Sequence, residues 1–365
     1  MCLNENYEHN RPTITRRRPG SCLPFTASET GAALKIWLPY IIGGSGTDTF
    51  TETLATALQE AGHEAVVQSF PHIMQFCPGV LRSVKMPEAT DIVFTNSWAG
   101  FAFKRRGVAM VTMEQLFVHD PAYASFRSKG QAVFHSTLVH WFEKRTFHDA
   151  DRVVAVSRAT QKAVMDAFPD VDPIVIPNGV DVDFFTPISE DERRDGERAF
   201  RLLFVGNLTT RKGADLLVDV MQALGPEFEL HYTSGLRESA TLDLENAVGL
   251  NRLDRMGVRH AMREADVFLF PTRLEGLSIS VLEAMACGLP IVASDQSSMP
   301  ELVDHGRTGL LCRLDPIEFA DAVQRLADAP DLRKSMGVAG RERAVGCFSM
   351  KKTVERYVQL FCEIL

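Results

Sequence analysis

The chain contains no G-x-x-x-x-G-K-[ST] run, no G-x-S-x-G turn and no His/Cys/Asp cluster at zinc-ligand spacing. A P-loop nucleotidase, an elbow-type serine hydrolase and a zinc enzyme are therefore disfavoured, since each chemistry needs its groups at fixed separations. Seven cysteines are present, at positions 2, 22, 77, 287, 312, 347 and 362, with no C-x-x-C pair and an odd total. That usage fits a reduced, cytosolic protein in which most of them act as small apolar residues. No uninterrupted apolar segment approaches the roughly 20 residues of a membrane helix. Residues 1–33 are polar, carry Arg16, Arg17, Arg18 and Pro19, and lack the apolar centre of a secretory signal. They read as a disordered arm. The net charge of −8 gives no whole-chain attraction to nucleic acid, and no nucleic-acid partner is expected.

What is present is an ordinary globular composition, 45% apolar and 24% charged, over 365 residues. That length exceeds what one core usually fills, so two domains are expected. Strand-like runs start at 35–42, 64–70, 91–95, 107–113, 151–156 and 173–176, with helical stretches at 47–61 and 135–150 between them. Pro39 interrupts the first run. Ser157 stands where it can cap a following helix. Residues 34–188 form one expected βα domain, and the acidic, polar stretch 189–199 is the expected linker. The same alternation restarts at 201–205 and continues through 200–349, with a final helix over 350–365; residues 237–254 give no clear pattern. The fold class is thus α/β, two Rossmann-like doubly wound domains facing each other across a cleft, which is the default ligand site.

The most informative stretch is 266–290. Val267 to Phe270 is a short apolar run suited to a strand buried on both faces, and Pro271 should end it. A glycine-containing turn and a helix ending at Gly288 and Pro290 follow. Strand, loop and helix N-terminus in that order make an anion seat, because unpaired N–H groups and the helix dipole both favour phosphate. Glu275 and Glu283 flank the turn. Ser280 and Glu283 also have the spacing of a capping box, which offers Glu283 a purely structural role. Gly206 to Gly213 leaves a strand with Arg211 and Lys212 adjacent, able to neutralise a diphosphate or simply to sit in solvent. Gly43, Gly44, Ser45 and Gly46 do not form a dinucleotide fingerprint. Glu114 and the pair His119 and Asp120 are candidate acid/base groups.

Several segments resemble one family. VGNLTTRKG, EGLSISVLEAMACGLPIVAS and MPELVDHGRTGLL look like the donor-domain signatures of the retaining glycosyltransferases of family 4, which have the GT-B fold. GGSGTDTFTETLATALQEAGHE, ADRVVAVS and PNGVDVDFF are similar to that family's acceptor-domain landmarks. The resemblance runs from about Leu34 to the carboxyl terminus and implies that the last helix crosses back to the first domain.

By that resemblance Glu275 contacts the donor sugar and Glu283 the nucleotide ribose. Ser278, Ile279 and Ser280 receive the diphosphate, Lys212 binds phosphate, and Gly44 lets backbone approach it. Asn207 stands where the family usually has an arginine, leaving Arg211 as the second cation. Glu114 replaces a frequent family histidine, with His119 as a spatial substitute. The implied activity is metal-independent transfer, with retention, from a nucleoside-diphosphate sugar to a glycan or lipid-linked acceptor in bacterial polysaccharide or lipopolysaccharide synthesis. A phosphorylase, an epimerase and a catalytically silent sugar-nucleotide-binding partner are the alternatives. No cofactor is implied beyond the donor substrate. The implied location is cytoplasmic, with peripheral contact at an anionic membrane through Phe101, Phe103, Lys104, Arg105 and Arg106; a solvated basic loop is the competing reading of those residues.

Overall fold

The computed structural model describes residues 33–44, 46–188, 198–234 and 241–365. The expected arm, apart from residue 33, and most of the expected linker lie outside the described residues, as does Ser45. Two six-stranded parallel sheets form the frame. The first comprises β1 (Lys35–Ile41), β2 (Glu64–Phe70), β3 (Ile92–Asn96), β4 (Ala109–Glu114), β5 (Arg152–Ala155) and β6 (Ile174–Val175), in the order β2-β1-β3-β4-β5-β6. The second comprises β7 (Phe200–Phe204), β8 (Phe228–Tyr232), β9 (Ala247–Gly249), β10 (Val267–Phe270), β11 (Ile291–Ser294) and β12 (Gly309–Cys312), in the order β12-β11-β10-β7-β8-β9. Helices α1 (Gly46–Glu60), α2 (Gly100–Phe103), α3 (Lys129–Phe134), α4 (His140–Asp149) and α5 (Arg158–Ala167) accompany the first sheet. With the second go α6 (Ala214–Leu224), α7 (Arg255–Glu264), α8 (Ile279–Ala286), α9 (Met299–Leu302), α10 (Pro316–Asp328) and α11 (Pro330–Phe348), and α12 (Met350–Ile364) closes the chain.

Both sheets are covered by helices, so their central strands read as continuous apolar runs rather than alternations. Val267 to Phe270 and Ile291 to Ala293 are all fully buried. Pro39 does not break β1. Lys35 turns both its N–H (to Asp91 Oδ2) and its C=O (from the Asp91 N–H) towards β3. Pro39, four residues on, therefore faces its missing donor the same way, past the last β1–β3 pair at Trp37 and Val93. Ser157 caps α5 by accepting from Thr160 N, as its position implied. Strand β9 lies in the stretch 237–254 that gave no clear pattern, and β12 and α7 were not among the expected elements: Gly309 opens β12 against Ile291, and α7 is mostly polar.

Helix α12 returns to the first sheet. Tyr357 stacks edge-on to Phe94 at 5.1 Å, its hydroxyl points at Met113 Sδ, and Phe361 is fully buried. Replacing Phe361 with alanine should cost about 3–5 kcal/mol, because the cavity opens inside a packed sheet–helix layer. A urea midpoint unchanged in Phe361→Ala would show that α12 is not part of that core.

Candidate active site

The loops after β7 and β10 carry the second sheet's candidate residues, and backbone hydrogen bonds sew them together. The Arg211 carbonyl accepts from Arg273 N (2.8 Å) and Thr272 Oγ1 (3.2 Å). Arg273 returns its guanidinium to the Thr210 carbonyl and to Asp215. Gly213, at φ 75°, lies so close to Pro271 that a Cβ would stand 2.0 Å from its carbonyl oxygen, so this crossing needs glycine.

The result is an ion cluster. Arg211 Nη1 lies 3.0 Å and Lys212 Nζ 3.2 Å from Glu275 Oε1, and the Glu275 side chain is only 12% exposed. Burial pushes this carboxyl up, but Lys212 and Arg211 outweigh it and hold Glu275 below the usual carboxylate range. The Lys212 stem fills the space beside Gly206 and its ammonium lies over Phe270. Asn207 is half-buried at the start of the same loop.

Glu275 is held from behind by a segment that sequence reasoning did not single out. Ser297 Oγ donates to the Glu275 carbonyl (2.7 Å) and accepts from its N–H (3.3 Å), while Ser298 Oγ donates to the same carbonyl. Ser297 adopts φ 54°, a left-handed conformation uncommon for serine, and that outlier is the local mark of the constraint.

Helix α8 begins two residues earlier than the capping-box spacing implied. Its cap is Ser278, whose side chain accepts from Val281 N, and Ser280 Oγ lies 3.1 Å from Ser278 Oγ. Glu283 is thus a mid-helix residue, free of the cap. Burial pushes its carboxyl up to about 8, against the pull of Arg255. The group binds a proton on folding, so its contribution to stability is full below the unfolded carboxyl range near 4.5 and is lost as pH rises towards 8. Thermal melts between pH 5 and pH 8.5 should fall less steeply for Glu283→Gln than for the parent chain; parallel profiles would place Glu283 in water.

The first sheet meets this loop from the other side. Gly276 lies on Gln115, where a Cβ would stand 1.5 Å from the carbonyl oxygen. Asn178, fully buried, exchanges amide hydrogen bonds with Gln115 and donates to the Leu277 carbonyl (3.1 Å). Glu301 crosses over to the N-terminus of α5, its two oxygens accepting from Arg158 N (2.8 Å) and Ala159 N (2.9 Å). A small pocket between the sheets is lined by Phe117, Asp120, Thr160, Leu274, Glu275 and Ser297. Removing the bridging carboxylate in Glu301→Ala should raise the radius of gyration in solution scattering and lower the unfolding midpoint. Unchanged scattering would show that other contacts hold the two faces together.

Glu114 and His119 do not reach that pocket. Both turn into the first domain, towards the fully buried Glu143: Glu114 is 2% exposed, and His119 Nε2 lies 2.9 Å from Glu143 Oε2. Burial, with Glu143, drives Glu114 well up; burial raises Glu143 to about 8, and burial with Arg127 lowers His119 to about 4. At neutral pH the His119–Glu143 contact is therefore between uncharged groups. The loop between Glu114 and Asp120 faces the cleft instead, through Leu116 and Phe117.

The glycine turn also departs from expectation. Gly46 faces Ile279 across the cleft at 3.8 Å for an added Cβ, and Gly44 takes φ 66°. The N–H groups of Gly43 and Gly44 are occupied, however, donating to the Asp48 carboxylate at 3.0 and 2.6 Å. The basic loop offered as a membrane contact is likewise mostly committed. Phe101 and Phe103 are buried, Lys104 pairs with Asp151, and Arg105 donates to the Ala102, Lys104 and Val84 carbonyls.

Two parallel α/β sheets, with an acid held by two cations beside a helix N-terminus and the opposite sheet pressed against the same loop, define a GT-B protein. Comparison with known proteins agrees. The family model for glycosyl transferases group 1 matches residues 199–329, and that for glycosyltransferase family 4 matches residues 68–184. The chain belongs to this family of glycosyltransferases. It is 32% identical over 255 residues to an alpha-maltose-1-phosphate synthase of Mycolicibacterium smegmatis, covering 61% of this chain and 66% of that protein. It is 31% identical over 247 residues to a D-inositol 3-phosphate glycosyltransferase of Geodermatophilus obscurus, covering 60% of this chain and 54% of that protein. The match thus spans less than two thirds of these relatives. Among solved structures, sucrose-phosphate synthase from Thermosynechococcus elongatus superposes with a TM-score of 0.77 at 18% identity, covering 90% of this chain and 99% of that one. Anabaena HepE in complex with UDP-glucose gives 0.70 at 17% identity, covering 90% and 99%.

Proposed function

We propose that the protein transfers a sugar, with retention at the anomeric carbon, from a nucleoside-diphosphate sugar to a hydroxyl of a glycan or lipid-linked acceptor in polysaccharide or lipopolysaccharide synthesis. The observation that carries this reading is the Arg211–Lys212–Glu275 cluster beside the N-terminus of α8. HepE, whose fold this chain shares, is described with UDP-glucose; a donor of that class supplies what the cluster is built to receive. Residues 200–349 would hold the donor, and residues 34–188 with 350–365 the acceptor.

On this reading Arg211, Lys212 and the amides of Ile279 and Ser280 stabilise charge that builds on the departing diphosphate, a task that placed donors perform well in a water-poor cleft. Asn207 lines the same loop. Ser278 fixes the helix start, and Glu283, freed from capping, meets the ribose. Glu275, ionised and pinned by Ser297, accepts from the sugar hydroxyls and holds the ring against the pocket. The acceptor hydroxyl enters from the Phe117 and Asp120 side and passes its proton to the leaving phosphate. Glu114 and His119 act behind the reacting atoms by holding the 114–120 loop, and Gly44 contributes room rather than an N–H.

A melting-temperature screen with uridine, guanosine and adenosine diphosphate sugars should show stabilisation by one base class, since a ligand bound only to the folded chain raises the midpoint by mass action. Glu275→Ala should lower transfer by about 10²-fold or more, the scale of losing one preorganised electrostatic contact, while leaving the fold intact. Full transfer in that variant would sink the assignment.

A further inference from the structure

Glu143 is fully buried, and no step of the proposed transfer uses it. Helix α4 turns it onto the first sheet, one helical turn from the buried Thr146 and close enough to Glu114 of β4 for the two acids to feel each other's charge. Neither Glu143 oxygen makes a well-aligned hydrogen bond among the described residues, and Glu114 Oε2 and His135 Nδ1 are buried in the same condition. Polar atoms left this way cost stability, so a core that retains several of them calls for a reason beyond packing.

The route from Glu143 to the pocket runs through one imidazole. His119 Nε2 lies 2.9 Å from Glu143 Oε2, and its ring packs edge-on against His140 of α4 at 5.2 Å. The same ring meets Phe117 edge-on at 5.3 Å. Phe117 and Asp120 flank His119 in sequence and line the pocket together with Glu275. Asp120 accepts from Ala122 N at 2.8 Å and so starts the tight turn Pro121–Phe126, which lies beside Thr210–Lys212 of the second sheet's loop. A shift of His119 is therefore a shift of the wall that faces the Arg211–Lys212–Glu275 cluster.

We propose that Glu143 is a positioning residue for the acceptor: through His119 it sets the Phe117–Asp120 wall of the pocket opposite Glu275. Its purpose rests on the transfer reading, but the position of the wall is measured without turnover. The groups that face the Glu143–His119 contact come from every element packed on it. Strand β4 brings Glu114, the segment after β3 brings Ser97 and Trp98, and the loop before α3 brings Arg127. The π-helical segment His135–Val139 brings His135, and α4 itself adds His140 with Lys144. Burial pushes the Glu143 carboxyl up to about 8 against the pull of Trp98 and Ser97, while burial and then Arg127 lower His119 to about 4. The carboxyl takes up a proton on folding, so its contribution to the packed loop is full below the ordinary carboxyl range near 4.5 and is lost as pH rises towards 8. Beyond that point a bare carboxylate beside Glu114 needs water, and His119 and the pocket wall give way to admit it.

The test is hydrogen exchange of the full chain, read by mass spectrometry over 114–126 at pH 7 and pH 9 and corrected for the intrinsic rate. In the parent chain, exchange of this segment should rise about tenfold at pH 9, the factor for one pH unit beyond the midpoint. Glu143→Gln keeps the shape without the titration, so it should match the parent at pH 7 and lose the rise. Glu143→Ala should exchange about tenfold faster already at pH 7. The Trp98 indole N–H resonance, assigned by its loss in Trp98→Phe, should titrate near pH 8 in the parent and stay flat in Glu143→Gln. UDP-glucose should stabilise the parent and both Glu143 variants alike against melting; its failure in every chain would remove the donor reading and leave the exchange result standing. The proposal is overturned by exchange that ignores pH, by a rise that survives Glu143→Gln, or by a Glu143→Ala chain whose 114–126 segment exchanges like the parent's. A rise abolished only by Glu114→Gln or by Glu283→Gln would assign the titration to that acid and overturn it likewise.

Discussion

Glu275 is a carboxylate in a place that would expel one. Its side chain is nearly closed off from water, and burial alone would leave it protonated. Two cations reverse that, and they are there only because the loop bearing Arg211 and Lys212 is stitched by its own carbonyls to the loop bearing Glu275. The dependence continues outward. Arg273 braces the stitch through Asp215, Gly213 permits the close crossing over Pro271, and Ser297 takes a left-handed backbone to hold the Glu275 peptide at both ends. Removing any one of these loosens the position of one oxygen atom, Glu275 Oε1, that both cations share.

The acids of the first sheet follow the opposite logic. Glu114 and Glu143 have no cation at contact distance among the described residues, so burial keeps a proton on each, with the neighbouring Glu143 adding to the effect on Glu114. Uncharged, they sit beside Ser97, Trp98 and His119, behind the loop that reaches the pocket. Two buried acids on one side are neutral and one on the other is ionised, and the difference lies in which has an arginine and a lysine beside it.

Much of this was legible in the sequence where local physics decides the outcome. Val267 to Phe270 could only be a doubly covered strand, Pro271 had to end it, and Ser157 had to cap what followed. The cation pair and Glu275 were visible as types, because charged residues in glycine loops after strands have few structural uses. What was not legible depends on the partner sheet. Spacing offered Ser280 as a cap, but Ser278 has the extended backbone that a cap needs. Phe101 and Phe103 looked exposable beside three cations, yet they fill the space against Trp37, Phe70 and Phe142. Glu301 and Asn178 carry no local pattern at all; their meaning arises only when α5 and the Glu275 loop come face to face.

That meeting bears on how the two halves share the work. Asp48 already satisfies the Gly43 and Gly44 amides with a negative charge, so the first sheet's glycine turn is a poor seat for another anion. The cations and the open helix N-terminus all belong to the second sheet. On the proposed reading the diphosphate is therefore held by that half, and the first sheet's glycine turn does not contribute to holding it. The contact between the halves instead sets Gln115 against Gly276 and Glu301 against the N-terminus of α5, beside the Glu275 loop. On that reading, holding the diphosphate and positioning Glu275 are divided between the halves.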